Sequence, residues 1–167
     1  MKLLYSKEHI AAEVARLGAE ISRDYAGRDI VAVVVLKGAV IFAADLLRNI
    51  SIPVTLEFIR AASYHDNTHS SRDVKISMDP HSDITDKHVI IVDDILDSGH
   101  TLKALSRLLS EHNPASLRLC TLLDKKERRE ADIEANYVGM ETENKFVVGY
   151  GLDLAGKYRH LGQIYTI

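Results

Sequence analysis

The chain has no tryptophan and, in 167 residues, only one cysteine, three prolines and nine glycines. A single cysteine leaves no internal disulfide, so the folded state must rest on a buried core, and the chain suits a reducing compartment. Cys120 itself lies in the apolar run 117–123, where a free thiol behaves as a small hydrophobe. So little glycine and proline excludes a collagen-like or low-complexity chain. Excess positive charge is also missing: 21 lysines and arginines against 24 aspartates and glutamates give a net charge of -3, which offers no basic field for bulk nucleic-acid binding. No run approaches the roughly 18 apolar residues of a membrane span, and residues 1–11 lack the apolar stretch of a signal peptide. These absences point to a cytoplasmic protein with neither a membrane nor a nucleic acid as partner.

What is present is ordinary for a globular chain: 46% hydrophobic and 27% charged residues, in a length that suits one domain over residues 1–167. Ile10, Val14, Leu17 and Ile21 recur at helical spacing, so residues 7–25 read as an amphipathic helix capped by Ser6 and ended by Gly27. Residues 30–36 are continuously apolar and mostly β-branched, the pattern of a strand covered on both faces. A helix over 39–48 follows, then strands over 52–59 and 74–78. Between those strands, residues 63–73 are polar and long enough to form a mobile lid. Residues 89–92 give another buried strand, followed by an acidic turn and a helix with a stripe of Leu102, Leu105, Leu108 and Leu109. Further strands are expected over 116–123, 137–140 and 146–148. Alternating strands and helices predict a mostly parallel α/β sheet, whose ligands sit beyond the strand ends where the strand order reverses. That places the site after Leu36, Val92 and Leu123.

The densest chemistry lies in residues 89–101, where a buried strand is followed by Asp93, Asp94, Ile95, Leu96, Asp97, Ser98, Gly99, His100 and Thr101. Backbone amides and two hydroxyls at a helix N-terminus favour a phosphate, and aspartates at a strand end suit ribose hydroxyls or a magnesium ion. The plainer alternative is an acidic turn with Asp97 or Ser98 as a helix cap. A phosphate-loop NTPase is excluded because G-x-x-x-x-G-K-[ST] occurs nowhere, and a calcium loop because its alternating oxygen ligands and late glutamate are absent.

That run resembles the 5-phosphoribosyl-1-pyrophosphate (PRPP) motif of type I phosphoribosyltransferases, and the resemblance extends over most of the chain. Leu36-Lys37-Gly38 resembles their pyrophosphate loop, Ser63-Tyr64 with residues 71–75 their mobile catalytic loop (about 61–75), and residues 122–125 their purine-reading strand. Residues 145–153 with Tyr158-Arg159 resemble the hood of hypoxanthine-guanine phosphoribosyltransferases, built from N- and C-terminal segments. The resemblance implies the type I phosphoribosyltransferase fold and a purine salvage activity. Phosphoribosyl would pass from PRPP to hypoxanthine and guanine, giving IMP or GMP and pyrophosphate. A xanthine-preferring enzyme and an RNA-binding attenuator on the same fold are the alternatives.

The same resemblance implies a role for each residue. The turn 97–101 would hold the 5′-phosphate, Asp93 and Asp94 the ribose hydroxyls, with Ile95 between them and the turn. Asp97 would also be the general base near N7 of the purine. Lys125 would donate to the 6-oxo group, Phe146 would stack on the base, and Val147 would meet its edge through backbone atoms. Arg159 and the backbone of Lys37 and Gly38 would take pyrophosphate, Ser63 and Tyr64 would belong to the lid, and the Leu36–Lys37 peptide would be cis. Asp93, Asp94 and Asp153 are the expected ligands of Mg2+, and a homodimer or homotetramer is implied. Against these stand plainer readings: Lys125, Lys126, Arg128 and Arg129 as a solvated charge run, Phe146 as core, Arg159 as surface. His65 and His69 have the i, i+4 spacing of metal ligands but no third ligand nearby.

Overall fold

The structure is a computed structural model, and it describes residues 1–63, 74–78 and 83–167; at residues 62, 63 and 74–78 only the backbone is described. The lid expected over 63–73, with Tyr64, His65 and His69, therefore lies outside the described residues apart from the backbone of Ser63.

In chain order the elements are β1 (Lys2–Tyr5), α1 (Lys7–Asp24), β2 (Ile30–Leu36), α2 (Val40–Arg48), β3 (Val54–Ser63), β4 (Val74–Met78), β5 (His88–Leu96), α3 (His100–Ser110), β6 (Ser116–Asp124), a 3-10 turn (Lys126–Arg128), β7 (Tyr137–Glu141), β8 (Val147–Val148) and β9 (Ile164–Thr166). Six strands form one sheet in the order β4-β3-β2-β5-β6-β7, parallel except for β4 at the edge. The connections after β2 and after β5 run to opposite sides, so the order reverses between these two strands and the crevice opens at their carboxyl ends. This is the expected mostly parallel α/β sheet. A separate sheet, β1-β9-β8, forms the hood.

Alternate residues of the parallel strands enter two cores. On one face Ala32, Val34, Ile90, Val92 and Cys120 pack under α1 and α2, and on the other Val31, Val33, Ile59, Val89 and Ile91 pack under α3. The helix stripes largely fit: Ile10, Val14, Leu17 and Ile21 of α1, and Leu102, Leu105 and Leu109 of α3, are all buried, while Leu108 at the edge of the stripe is only half-buried. Ser6 caps α1 by accepting from the amide of His9 at 3.3 Å. Burial pushes the Cys120 thiol well above its usual value, which keeps it a buried, inert side chain.

β1 and β9 are additions to the strands expected from the sequence, and β3 and β5 differ most in extent, β3 also running on past Ile59 to Ser63. The third starts later, at Val54, because Pro53 has no amide to give the ladder and supplies only its carbonyl, to the amide of Ile30 at 3.1 Å. The fifth does not stop at Val92: it runs through Asp93, Asp94 and Ile95 to Leu96, paired with β6 as far as Leu96↔Asp124. Ladder bonds to a central neighbour outweigh the weak β-propensity of aspartate.

Candidate active site

The turn after β5 starts at Asp97 and ends at Gly99, whose φ of 87° falls in the left-handed region that favours glycine. Space demands glycine as well, since a Cβ there would sit 2.7 Å from Ile133 Cγ2 and 3.0 Å from Arg129 Cδ. Gly99 is itself the cap residue of α3, with no side-chain cap bond, so neither Asp97 nor Ser98 plays the capping role of the plainer alternative. The amides of His100, Thr101 and Leu102 thus stand at the positive end of a helix without intrahelical partners, as an anion site requires. His100 Nε2 lies 2.8 Å from Glu130 Oε2, which ties the ring to that residue.

Beside the turn, Asp93 is 9% exposed and its Oδ1 accepts from the amide of Asp94 at 2.9 Å. Burial holds the Asp93 carboxyl well above the usual carboxylate range, and the neighbouring Asp94 charge adds to the shift. Burial raises Asp94 too, with hydrogen bonds and the Arg159 charge acting the other way. Asp94 reaches the loop after β2: a Cβ on Gly38 would lie 1.8 Å from Asp94 Oδ2, and one on Gly151 would lie 2.1 Å from the Gly38 carbonyl oxygen. The Leu36–Lys37 peptide is cis, as the resemblance implies. Arg159 closes the same corner. Its Nη1 donates to Gly151 O at 2.5 Å and its Nη2 lies 2.5 Å from Asp153 Oδ1, while Asp153 Oδ2 accepts from the amide of Gly156 at 2.7 Å. Lys37, Gly38, Asp94, Asp153 and Arg159 are therefore gathered around one corner of the crevice, and Arg159 is no isolated surface residue.

On the other side of the turn, Lys125 is 5% exposed, with Nζ 3.9 Å from Asp97 Oδ2, and Arg128 Nε lies 3.3 Å from Asp97 Oδ1. Burial pushes the Lys125 ammonium below its usual value, opposed by the charge of Asp97. A solvated charge run describes Lys126, which pairs with Glu141 at the surface, but not Lys125 or Arg129, whose side chain is only 15% exposed. Phe146 is 51% exposed while Val147 and Val148 are buried, so the valines take the core position and leave the ring facing out.

Two groups escaped the reading of the sequence. Arg129 pairs with the buried Asp124 carboxylate at the end of β6, and the Tyr150 hydroxyl donates to Asp45 Oδ2 at 2.6 Å, fastening the hood to α2. An Arg-Arg pair in a charged stretch carries no sign of which member turns inward.

Among the described residues no three His, Cys, Asp or Glu side chains come together as a metal cage. Magnesium asks for less, one or two carboxylates with the rest of its shell from water and phosphate oxygens. Asp93, buried, and Asp94, half-buried beside it, make no ion pair among the described residues and have the oxygen donors for it. Asp153 is engaged instead with Arg159.

Residues 2–154 match the phosphoribosyl transferase domain. The hypoxanthine phosphoribosyltransferase of Haemophilus influenzae is 43% identical over 165 residues, covering 97% of this chain and 92% of that protein. The hypoxanthine-guanine phosphoribosyltransferase of Mycobacterium tuberculosis is 46% identical over 171 residues, covering 99% and 85%. A crystal structure of a Bacillus anthracis hypoxanthine-guanine phosphoribosyltransferase, with a HEPES molecule in its active site, superposes with a TM-score of 0.94 at 45% identity, covering 100% of this chain and 98% of that one. Agreement in sequence over nearly the whole length and in fold has one reading: the chain belongs to the hypoxanthine-guanine phosphoribosyltransferases.

Proposed function

We propose that the protein is a purine salvage enzyme that transfers the phosphoribosyl group of PRPP to hypoxanthine and to guanine, with IMP or GMP and pyrophosphate as products. One observation carries the reading: at the mouth of a helix N-terminus a carboxylate, Asp97, stands 3.9 Å from a buried ammonium, Lys125. A 6-oxopurine offers the complementary pair, a ring N–H to lose at N7 and a carbonyl oxygen beside it.

In this reading the amides of residues 97–101 hold the 5′-phosphate, and Asp93 and Asp94 accept hydrogen bonds from the ribose hydroxyls. Lys125 donates to the 6-oxo oxygen, Phe146 stacks on the ring, and the Val147 backbone meets its edge. With the purine so aligned over C1 of the ribose, Asp97 takes the N7 proton as the base attacks, and pyrophosphate leaves toward Lys37, Gly38 and Arg159. Alignment and neutralisation of the leaving group are the main demands, because the ribose carbon passes through an oxocarbenium-like state. Mg2+, held by Asp93 and Asp94 or by Asp153 through water, supplies that neutralisation when bound with PRPP.

No helix among the described residues is long and apolar enough to cross a membrane, and the one cysteine is buried and free, which supports a cytoplasmic enzyme. Val40, Leu56 and Phe58, each 42% exposed, support association of copies into a homodimer or homotetramer.

The test is an assay with PRPP and magnesium against hypoxanthine, guanine, xanthine, adenine and uracil. Turnover of hypoxanthine with guanine close behind is expected and adenine inert. Turnover of xanthine above both selects the xanthine enzyme, and no turnover of any base overturns the reading.

A further inference from the structure

The carbonyls that lead into the phosphate turn, from Leu96 to Ser98, are held from one segment, and that of Asp97 is held by a guanidinium. Arg129 Nε donates to Asp97 O at 3.1 Å, Nη1 to Ile133 O at 2.6 Å, and Nη2 pairs with the Asp124 carboxylate while reaching Leu96 O at 3.5 Å. Leu96 O also accepts from the Lys125 amide at 2.9 Å, and Ser98 O accepts from the amides of Glu130 and Ala131, both at 3.0 Å. Every carbonyl from Leu96 to Ser98 is thus bound by the segment 125–131. A trans peptide holds its N–H opposite its C=O. Fixing the carbonyls of Leu96 and Asp97 toward that segment therefore aims the amides of Asp97 and Ser98 away from it.

We propose that Arg129 is a positioning residue for the transfer reaction, an inference that rests on the function proposed above. Its guanidinium touches no substrate. It orients the turn amides that receive the 5′-phosphate and locks the backbone of Asp97, so that the carboxylate meets the purine held by Lys125. Asp124 is the second half of the device: 4% exposed at its side chain, it fixes the plane of the guanidinium from the end of β6. Lysine cannot replace the arginine, because one compact ammonium does not span carbonyls on both sides and a carboxylate in one plane.

The experiment compares wild type, Arg129→Met and Arg129→Lys, each with its folded fraction measured by circular dichroism well below its melting temperature. Misplacement of a reacting group by about 1 Å costs on the order of 10²-fold, so Arg129→Met is expected to lose about that factor in kcat/KM for PRPP, with KM raised and kcat lowered together. Added methylguanidinium restores part of the rate and methylammonium does not, and Arg129→Lys stays well below wild type. Folded variants with wild-type kcat and PRPP KM, lower only in melting temperature, overturn the proposal; if Arg129→Met does not fold, Arg129→Lys decides by the same readings. Calorimetry with ribose 5-phosphate separates this from the function itself. Wild type that binds it but turns over no base overturns the transfer reading, whereas Arg129→Lys that binds it as tightly as wild type overturns the positioning role.

Discussion

The two walls of the crevice are made differently. Asp93, Asp94 and the turn after them grow from β5, a strand paired on both sides and covered by an apolar layer on each face. The hood wall is thin: its strands have four, two and three residues, Phe146 stands half in solvent, and Tyr150, Ala155 and Tyr158 all adopt positive φ. Groups that must hold a fixed geometry sit on the wall whose rotamers are locked by packing, and groups that must admit and release a flat base sit on the wall with the least packing to disturb. Substitutions at the strand ends should then act on kcat, and those facing the purine on KM.

The sharpest test is Asp97→Asn. The amide keeps size and polarity but accepts no proton, so kcat with both substrates saturating should fall by about 10²–10⁴-fold while PRPP binding stays close to wild type. Retention of half the wild-type kcat, with chemistry rate-limiting, would break the assignment of the proton step to the strand-end wall. Lys125→Ala comes next. Losing a buried charged donor costs about 1–3 kcal/mol or more, which predicts a hypoxanthine KM raised about 10–100-fold, measured under saturating PRPP. An unchanged KM would return Lys125 to a structural role.

On the hood, Phe146→Ala removes a stacking face worth about 1–3 kcal/mol per base, so the hypoxanthine KM should rise by roughly tenfold or more. The melting temperature should hardly move, because the ring is 51% exposed. A large fall in stability would show that the hood is packed as tightly as the strand ends. The smallest effect is one of stability. Asp93→Asn removes a carboxylate that burial destabilises, keeps an oxygen for the Asp94 amide, and should raise stability by about 1 kcal/mol, or roughly 2–4 °C, at pH 7. The sign follows from the raised value in the fold: the folded protein binds the proton more tightly than the unfolded chain. Wild type therefore carries the full deficit above the folded value, and the gap between the two proteins closes as pH falls through it toward the usual carboxylate range. Thermal melts of both proteins from pH 8 to 5 measure it, and a gap that widens toward low pH would exclude a buried charge as the cause.

How much of this could be read from the sequence follows from how local each feature is. The stripes of α1 and α3 and the apolar run of β2 repeat within one element, so periodicity alone finds them. The motif through Asp93, Asp97 and Thr101 is contiguous, which made the phosphate turn visible. The continuation of β5 past Val92 was hidden because aspartates in a strand are favoured there only by pairing with β6, which lies elsewhere in the sequence. The choice of Gly99 as cap was hidden because Asp97 and Ser98 are the better capping residues by type. β1 and β9 are too short to show a period. Arg129 looks like its neighbours Lys126 and Arg128 in the sequence, and only the fold turns it toward Asp124.

The hood has one more consequence, for the order in which the molecule assembles. In the large sheet β2 meets β3, β5 meets β6 and β6 meets β7, each pair drawn from successive parts of the chain. The hood instead needs Lys2 to meet Thr166, a separation of 164 residues. Closing so long a loop is slow and entropically costly compared with joining neighbours. The parallel sheet with its phosphate turn and the local pairing of β8 with β9, Val147↔Thr166, can therefore take shape first, and β1 alone joins late, against β9. A chain caught between those stages has a mouth for the sugar phosphate and a wall for the base that lacks its outer strand.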